Sequence, residues 1–489
     1  MIVRALAALA LLAAACGAPP IAQRGPALER WTYAFAVDPE LTRLRATVCF
    51  EGAMPYALAP IDANGRRYLR AAHGPDGAPL EREGGLLITH GLHHGSCVHY
   101  DVDLEAAARQ RGGIDGAYRI GEDLVASTSV WLWAPSHRAE GAEATATFTL
   151  PEGVHVSPLW PRTLEGEHVL DERAFRFTAY AAFGRFETRA VPVPGACLHV
   201  AVLGPGVEMG PEAVTRCLSQ GASAASMLIG RFPERDVGLL VVPTPFSTSS
   251  PFGVVGRGTM PTVAILVGER ATEDRLTRAW VPVHEFSHLA MPFIDRRDAW
   301  LAEGVATYYQ EVLRARGGLL SAEEAWANLL DGFERGARDG TGRTLREESR
   351  DMRETAAYRR VYWAGAAIAL MADVELRTRS GGERTLDDAL ARLHACCAGG
   401  LTPISADEAM RRMDEGGPPI FASVARRALG AREFPDLTAT LAALGITRAG
   451  ARFELDEDRR ALRDAIMRPH TELAALPGEC GLAHRGQAR

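Results

Sequence analysis

Two histidines and two glutamates in this chain have the types and spacing of a metal site. Residues 284–288 have the sequence H-E-F-S-H, and Glu303 follows His288 by 15 positions. Residues four apart on a helix lie on one face, so His284 and His288 can reach the same ion. Two imidazoles and a carboxylate suit zinc and leave a fourth position for a water molecule. Glu285 stands beside that position and could take the water's proton, so the pattern predicts zinc-dependent hydrolysis.

A second helix must bring Glu303 back to the histidines. The charged stretch 295–298 suits a tight turn after the first motif. Asp298 is predicted to cap a helix over residues 299–315. Glu303 would then lie in the second turn of this helix, and Thr307, one turn later, could support it with a hydrogen bond.

These motifs resemble those of the gluzincin metallopeptidases, specifically the membrane alanyl aminopeptidase and glycyl aminopeptidase families. In those families the third zinc ligand is the glutamate of a W-L-N-E-G stretch, and this chain has W-L-A-E-G at residues 300–304. The spacer before it is shorter than is usual in the alanyl aminopeptidases. The resemblance implies a metallopeptidase that binds one zinc ion through His284, His288 and Glu303, with Glu285 as general base and then acid.

Residues 358–365, Y-R-R-V-Y-W-A-G, carry a second part of the resemblance. Related peptidases have Y-x-x-G there, and the tyrosine hydroxyl donates a hydrogen bond to the oxyanion that forms during hydrolysis. Tyr362 is the matching position, and a neutral phenol is a suitable donor. Tyr358, one turn away, is the alternative, in which case Tyr362 would only pack on its helix.

One family feature is altered in this chain. Alanyl aminopeptidases carry G-A-M-E-N on an edge strand, and its glutamate binds the free α-amine of the substrate. At the matching position before the histidines, this chain has Gly258, Thr259 and Met260, and then Pro261 in place of the glutamate. We predict an edge strand over residues 258–262 in which Gly258, Thr259 and Met260 contact the substrate. A hydrogen bond to a charged group is worth about 1.5–3 kcal/mol, so its loss weakens recognition of a peptide N-terminus.

Three functions follow from this altered position. The favoured one is an endopeptidase, or a peptidase with an unusual substrate, whose edge strand pairs with an extended peptide although Pro261 lacks one donor. The second is an aminopeptidase whose amine anchor is another carboxylate. The third is a peptide-binding protein that keeps zinc without turnover.

Composition limits the other possibilities. The chain has 489 residues, of which 47% are hydrophobic and 24% charged, as is typical of a globular protein with two or three domains. A net charge of −7 and the absence of a basic tract argue against nucleic acid as a partner. All 54 basic residues are arginine, which excludes P-loop and Schiff-base lysine chemistry. The expected partner is a peptide or protein substrate.

The order of strand and helix patterns predicts an α+β multidomain protein. Residues 31–195 alternate short β-rich runs with Gly and Pro turns, which predicts a β-sandwich-like N-terminal domain. Residues 196–395 mix strands and helices, and the resemblance implies a thermolysin-like α/β zinc domain there. Residues 396–489 are predicted to form a small helical C-terminal region.

The N-terminus has the features of an export signal. Residues 1–16 combine a charged start, a short apolar run and small residues that end at Cys16. The junction resembles a bacterial lipoprotein signal, in which Cys16 is lipid-modified and residues 17–30 form a linker. Plain signal cleavage, giving a free periplasmic or secreted protein, is the alternative. The predicted location is therefore the cell envelope, in the periplasm or at the outer membrane, with a membrane contact only through the lipid at Cys16.

Export would permit disulfide bonds among the seven cysteines after Cys16. Because seven is odd, at least one thiol must stay free or pair elsewhere. The pairs predicted, in order of preference, are Cys49 with Cys97, Cys197 with Cys217, and Cys480 with Cys396 or Cys397.

Overall fold

The computed structural model describes residues 30–52, 54–110, 116–138, 143–449, 452–469 and 471–481. The predicted signal segment and Cys16 lie outside these ranges. Within them, no helix has the length and apolar character needed to cross a membrane.

The N-terminal part of the described chain is built mainly from strands. Its elements are β1 (Arg30–Val37), β2 (Arg43–Glu51), β3 (Ala57–Pro60), α1 (Ala63–Tyr68), β4 (Leu69–His73), β5 (Arg82–Glu83), β6 (Leu86–Ile88), β7 (Cys97–Asp103), α2 (Leu104–Arg109), β8 (Ala117–Ile120), β9 (Asp123–Ser127), α3 (Thr128–Trp131), β10 (Trp133–Pro135), β11 (Glu143–Thr149), β12 (His155–Val156), β13 (His168–Leu170) and β14 (Tyr180–Gly184). They form one six-stranded sheet, β13-β11-β1-β2-β7-β4, and two four-stranded sheets, β10-β3-β6-β5 and β12-β14-β9-β8. The sequence of β1 explains why this stretch forms a strand with one buried face. Trp31, Tyr33 and Phe35 alternate with more exposed residues and pack in an aromatic core.

A mixed α/β part follows. Its elements are β15 (Glu187–Val193), β16 (Ala196–Val202), α4 (Gly210–Ser226), β17 (Asp236–Thr244), β18 (Phe252–Gly256), β19 (Thr262–Gly268), α5 (Glu273–Thr277), α6 (Trp280–His288) and α7 (Ala299–Arg316). The strands form one sheet in the order β15-β16-β17-β19-β18. Strand β15 therefore joins this sheet although it precedes residue 196, where the predicted zinc domain begins.

One edge strand of this sheet is β18, which runs antiparallel to β19, and the other is β15. The predicted edge strand at 258–262 is therefore wrong, because the edge strand on this side comprises Phe252–Gly256 and residue 262 already begins β19. Two glycines explain the error. A Cβ at Gly253 would lie 2.5 Å from Cγ of Glu285, and one at Gly256 would lie 2.8 Å from Cα of Ala179. Close packing requires glycine at both positions, and glycine weakens the strand pattern in the sequence.

The remaining part is helical. Its elements are α8 (Ala322–Arg338), α9 (Leu345–Arg350), α10 (Met352–Thr355), α11 (Tyr358–Ser380), α12 (Leu386–Cys397), α13 (Ala406–Met413), α14 (Ile420–Leu429), α15 (Thr438–Ala443), β20 (Ile446–Ala449), β21 (Arg452–Leu455) and α16 (Arg460–Met467). Helices α7 and α11 cross at two glycines, since a Cβ at Gly304 would lie 2.3 Å from Cα of Gly365. This crossing brings the residue before Gly304 close to the start of α11. The predicted α+β multidomain architecture is confirmed.

The disulfide bonds agree with one of the predicted pairs. They are Cys49–Cys97, Cys197–Cys480 and Cys396–Cys397. The predicted Cys197–Cys217 pair is wrong, because Cys217 is a buried free thiol on α4 that contacts the carbonyl oxygen of Glu273. The C-terminal segment returns instead to the start of β16, and the N–H of Gly195, just before this strand, donates to the carbonyl of Ala475. Spacing in the sequence does not reveal a return across 283 residues.

Candidate metal centre

His284, His288 and Glu303 converge on one point between α6 and α7. Their ligand atoms all lie within 4.8 Å of one another. Nε2 of His284 is 3.3 Å from Oε2 of Glu303 and 3.2 Å from Nε2 of His288. Nε2 of His288 is 3.5 Å from the same carboxylate oxygen. The structure thus brings together the three residues that were predicted from the sequence to be metal ligands.

Electrostatic attraction between the histidines and Glu303 shifts the pKa values of this cluster. Burial raises the pKa of Glu303, but His288 and then His284 outweigh burial and hold that pKa well below its usual range. Burial lowers the pKa of His284, and the hydrogen bond with Glu303 and the charge of Glu285 more than reverse this. The carboxylate is therefore ionised at neutral pH and available as a ligand.

Gln310 orients the first histidine and was missed in the sequence. Its Oε1 lies 2.9 Å from Nδ1 of His284, and its amide nitrogen donates to Oε1 of Glu311 at 3.0 Å. The second contact fixes the amide so that oxygen faces the imidazole, which places the ring hydrogen on Nδ1 and leaves Nε2 free for a metal. Glu311 is in turn held by Arg314 and Asn328. Gln310 follows Glu303 by seven residues, two turns along the same face of α7, and that spacing could have identified it.

The predicted support from Thr307 is wrong. Its hydroxyl is buried and has no hydrogen-bond partner among the described residues. One turn of helix places Thr307 on the right face, but the longer side chain of Gln310 makes the contact, and it reaches His284 rather than Glu303.

Arg257 holds the end of α6 that carries His288. Its Nη2 donates to the carbonyl of His288 at 2.8 Å, and Nη1 donates to the carbonyl of Met291 at 3.0 Å. A cation at the carbonyls of the last turn stabilises a helix C-terminus. Burial lowers the pKa of Arg257 to about 10, against the opposing charge of Glu234. No sequence signal separates this arginine from the other arginines of the chain.

Glu285 lies beside the cluster under the edge strand. Its side chain is buried and packs against the backbone of Gly253, where a Cβ would clash. Burial raises the pKa of Glu285, while the two histidines partly oppose that rise. A carboxylate placed here can reach a water molecule held by the cluster.

Of the two candidate tyrosines, Tyr362 lies at the cluster. Its ring is parallel to that of His284 with 6.1 Å between centroids. Its pKa is raised, first by burial and then by the charge of Glu303, to which its hydroxyl is hydrogen-bonded. Tyr358 is further out, with its ring 6.5 Å from Tyr362 and 43% of its side chain exposed.

The predicted substrate residues Gly258, Thr259 and Met260 are not at the cluster. The hydroxyl of Thr259 donates to the carboxylate of Asp171 at 2.7 Å, and Met260 is only 1% exposed. Pro261 is also buried in the sheet, where its carbonyl accepts from the N–H of Gly238. Residues 258–261 therefore connect the five-stranded sheet to the N-terminal part of the chain.

Strand β18, and not the predicted segment 258–262, is the edge strand that lies next to Glu285. Its sequence is F-G-V-V-G, without a carboxylate. The charge of Glu303 adds to the rise in the pKa of Glu285 that burial causes.

Comparisons with known proteins identify the fold. No protein-family model and no curated protein matches the sequence. An aminopeptidase N family protein from Idiomarina loihiensis has a similar structure, with a TM-score of 0.68 and 16% identity over 85% of this chain and 78% of that one. An M1 zinc metallopeptidase from Deinococcus radiodurans gives a TM-score of 0.53 and 17% identity over 84% of this chain and 95% of that one.

A variant of the Deinococcus radiodurans enzyme, crystallised with the substrate Tyr-Ser-Ala, gives a TM-score of 0.52 and 17% identity over 85% of this chain and 97% of that one. At such identities the likeness shows the fold, and the chain has the fold of the M1 zinc metallopeptidases. The resemblance to gluzincin aminopeptidases that the motifs indicate is confirmed at this level.

Proposed function

With the M1 peptidase fold as premise, we propose that this protein is a zinc-dependent metallopeptidase that hydrolyses peptide bonds. The observation that carries the proposal is the convergence of His284, His288 and Glu303 within 4.8 Å, with the buried Glu285 beside them. The Deinococcus radiodurans variant, which has a similar fold, binds a short peptide substrate, Tyr-Ser-Ala. The expected substrate is accordingly a peptide or protein.

The residues of the cluster fit one zinc ion. Two imidazoles and one carboxylate are a common ligand set of catalytic zinc, and Gln310 supplies the hydrogen-bond acceptor that such a histidine usually has on its other ring nitrogen. When bound, zinc would polarise the substrate carbonyl and acidify a water molecule. His284, His288 and Glu303 would hold it.

The other residues of the site move a proton and stabilise charge. Glu285 would take the proton of the attacking water and give it to the leaving amine. Tyr362, whose raised pKa keeps the phenol neutral, would donate a hydrogen bond to the carbonyl oxygen as negative charge develops there. Burial of Glu285 and Tyr362 keeps these interactions strong, because little water competes with them.

The edge strand favours cleavage inside a chain over removal of the N-terminal residue. Strand β18 offers a free main-chain edge along which an extended peptide could pair. It offers no carboxylate for an α-amine, an interaction worth about 1.5–3 kcal/mol. We therefore propose an endopeptidase, or a peptidase of unusual substrate preference, rather than a typical aminopeptidase.

A defined peptide mixture tests this proposal. Half of the peptides would carry a free amine and half an acetylated one, and each would be incubated with the zinc-loaded protein and with its Glu285→Gln variant. Mass spectrometry should find cuts inside peptides of both halves with the unchanged protein, and none with Glu285→Gln. Trimming of single residues from free amines alone would establish an aminopeptidase with another anchor. Intact peptides that remain bound to the protein would establish the binding function.

We also propose that the protein is exported and that Cys16, outside the described residues, is lipid-modified. The Cys49–Cys97 and Cys197–Cys480 bonds support export, because disulfides persist in oxidising compartments. Expression with a labelled fatty acid should label the protein and not its Cys16→Ser variant. An unlabelled protein with a cleaved N-terminus would favour the free periplasmic or secreted form instead.

A further inference from the structure

The first turns of α7 and α11 have no capping side chain of their own. Helix α7 carries Glu303 and helix α11 carries Tyr362, so both helix starts lie near the candidate zinc site. Asp298 holds the N-cap position of α7, but its carboxylate accepts a hydrogen bond from the N–H of Ala406 instead of from α7. The N-cap residue of α11 is Ala357, which has no polar side chain. Because the first N–H groups of a helix have no partner within it, both starts need support from elsewhere.

Ser349 supplies the missing cap of α7 from the short helix α9. Its hydroxyl accepts a hydrogen bond from the N–H of Trp300 at 3.1 Å and donates one to the carbonyl of Arg297 at 2.9 Å. Trp300 is the second residue of α7, where a capping side chain normally binds. Ser349 is only 1% exposed, so little water competes for these bonds. The hydroxyl therefore fixes the end of α7 about one turn before Glu303.

Glu348, the residue before Ser349, holds the start of α11. Its Oε2 accepts a hydrogen bond from Nε of Arg360 at 3.1 Å, and both side chains are almost fully buried. Its Oε1 accepts from the N–H and the hydroxyl of Thr341, at 2.9 and 2.6 Å. The guanidinium also donates to two carbonyls of the chain that follows α14. Arg360 lies two residues before Tyr362, so these contacts fix the turn of α11 that presents the tyrosine.

The two contacts are joined by a single peptide unit, because Glu348 and Ser349 are neighbours in the sequence. The starts of α7 and α11 therefore cannot shift relative to each other without breaking one of them. The side chains that depend on this spacing are Glu303 and Tyr362, which are hydrogen-bonded to each other.

We propose that Glu348 and Ser349 are positioning residues of the peptidase site. Ser349 places Glu303 for zinc, and Glu348 places Tyr362 for the oxyanion. This inference rests on the proposed peptidase function and extends it to two residues that act only through the two helices.

Ser349→Ala tests the first contact without a measurement of activity. Without the hydroxyl, the start of α7 relaxes and Glu303 leaves its best position, so the dissociation constant for zinc should rise roughly tenfold. Competition with a fluorescent chelator measures it. Ser321→Ala is the matched control, because Ser321 caps α8 through the N–H of Glu324 and α8 carries no residue of the site.

The control should lower the melting temperature but keep the zinc dissociation constant within about twofold, since it weakens a helix without moving a ligand. Unchanged zinc affinity in Ser349→Ala would overturn the role of Ser349. A loss in Ser321→Ala as large as that in Ser349→Ala would also overturn it, because any weakened helix would then have the same effect.

Glu348→Gln tests the second contact. The amide keeps the shape of the side chain but replaces one acceptor oxygen with a donor, so the contact with Arg360 or with Thr341 is lost. At saturating zinc, kcat for an acetylated peptide should fall roughly tenfold, because Tyr362 is displaced from the oxyanion. KM and the zinc dissociation constant should stay within about twofold. If Glu348→Gln does not fold, Thr341→Val, which removes one donor to the carboxylate, takes its place and should lower kcat about threefold.

Calorimetry with a phosphinic peptide, whose tetrahedral phosphorus resembles the intermediate, separates positioning from a general loss of structure. Glu348→Gln should weaken its binding roughly tenfold when Tyr362 is present. In Tyr362→Phe the positioned hydroxyl is gone, so the same change should weaken binding by less than about twofold. Equal weakening in both backgrounds would overturn the role of Glu348. Cleavage that survives Glu285→Gln would instead count against the proposed function.

Discussion

Replacing Gln310 tests how the protein prepares its histidine for zinc. In Gln310→Met, the hydrogen at Nδ1 of His284 loses its acceptor at 2.9 Å in a buried place. A buried donor left without a partner costs about 1–3 kcal/mol. The cost falls on the zinc-bound state, which needs Nε2 free and so keeps the hydrogen on Nδ1. The metal-free ring can move its hydrogen to Nε2, where Glu303 accepts it.

The expected change follows from that free energy. Because about 1.4 kcal/mol corresponds to a factor of ten, zinc affinity should fall roughly ten- to a hundredfold in Gln310→Met. Gln310→Glu restores an acceptor for Nδ1 but replaces the donor to Glu311 with a second carboxylate oxygen, so it should recover only part of the affinity. Competition with a fluorescent zinc chelator measures the dissociation constant, and thermal melting of the metal-free proteins shows whether the fold is intact.

Thr307→Val is the matched control. Thr307 is buried on the same helix, between Glu303 and Gln310, but its hydroxyl has no partner among the described residues. Its removal should leave zinc affinity within about twofold, because no hydrogen bond to a ligand is lost. Zinc binding by Gln310→Met equal to that of the unchanged protein would contradict this role of Gln310, as would an equal loss of affinity in Thr307→Val.

Two further predictions concern stability. Arg257→Met leaves the carbonyls of His288 and Met291 without their buried cation, so the melting temperature should fall by a few degrees; equal melting of Arg257→Met and the unchanged protein would contradict this. His168 is buried, and burial followed by the charge of Arg162 lowers its pKa from 6.5 to about 4. The unfolded chain binds the proton first, so stability should fall as pH drops from about 6.5 to 4, by up to about 3 kcal/mol. Urea unfolding of His168→Phe should lack this part of the pH dependence, and an unchanged dependence would exclude His168 as its source.

The chemical centre was predictable because few arrangements satisfy its spacing. Residues four apart on one helix must share a face, and a glutamate in a W-L-A-E-G stretch identifies the next helix. Tyr362 was predictable through its own short motif. These residues act through side chains whose types the sequence shows directly.

The supporting parts of the site were harder to predict because packing decides them. Strand β18 is rich in glycine where it passes close to Glu285, so its pattern resembles a loop. Arg257 reaches α6 only after the sheet and the helix are assembled, and its role depends on carbonyl groups that every residue has. Gln310 lies two turns after Glu303 on the same face of α7, and the sequence shows this spacing. Thr307 lies only one turn after Glu303, so the sequence favoured Thr307 as the supporting residue.

We propose that this cluster holds one zinc ion and that the ion is needed to cut peptides. Titration of metal-free protein with zinc, with bound metal and cleavage of an acetylated peptide followed in the same samples, tests both statements directly. Cleavage should rise in proportion to bound zinc up to one equivalent, and His288→Ala should show neither zinc binding nor cleavage. Cleavage by the metal-free protein, or one equivalent of tightly bound zinc in His288→Ala, would contradict this proposal.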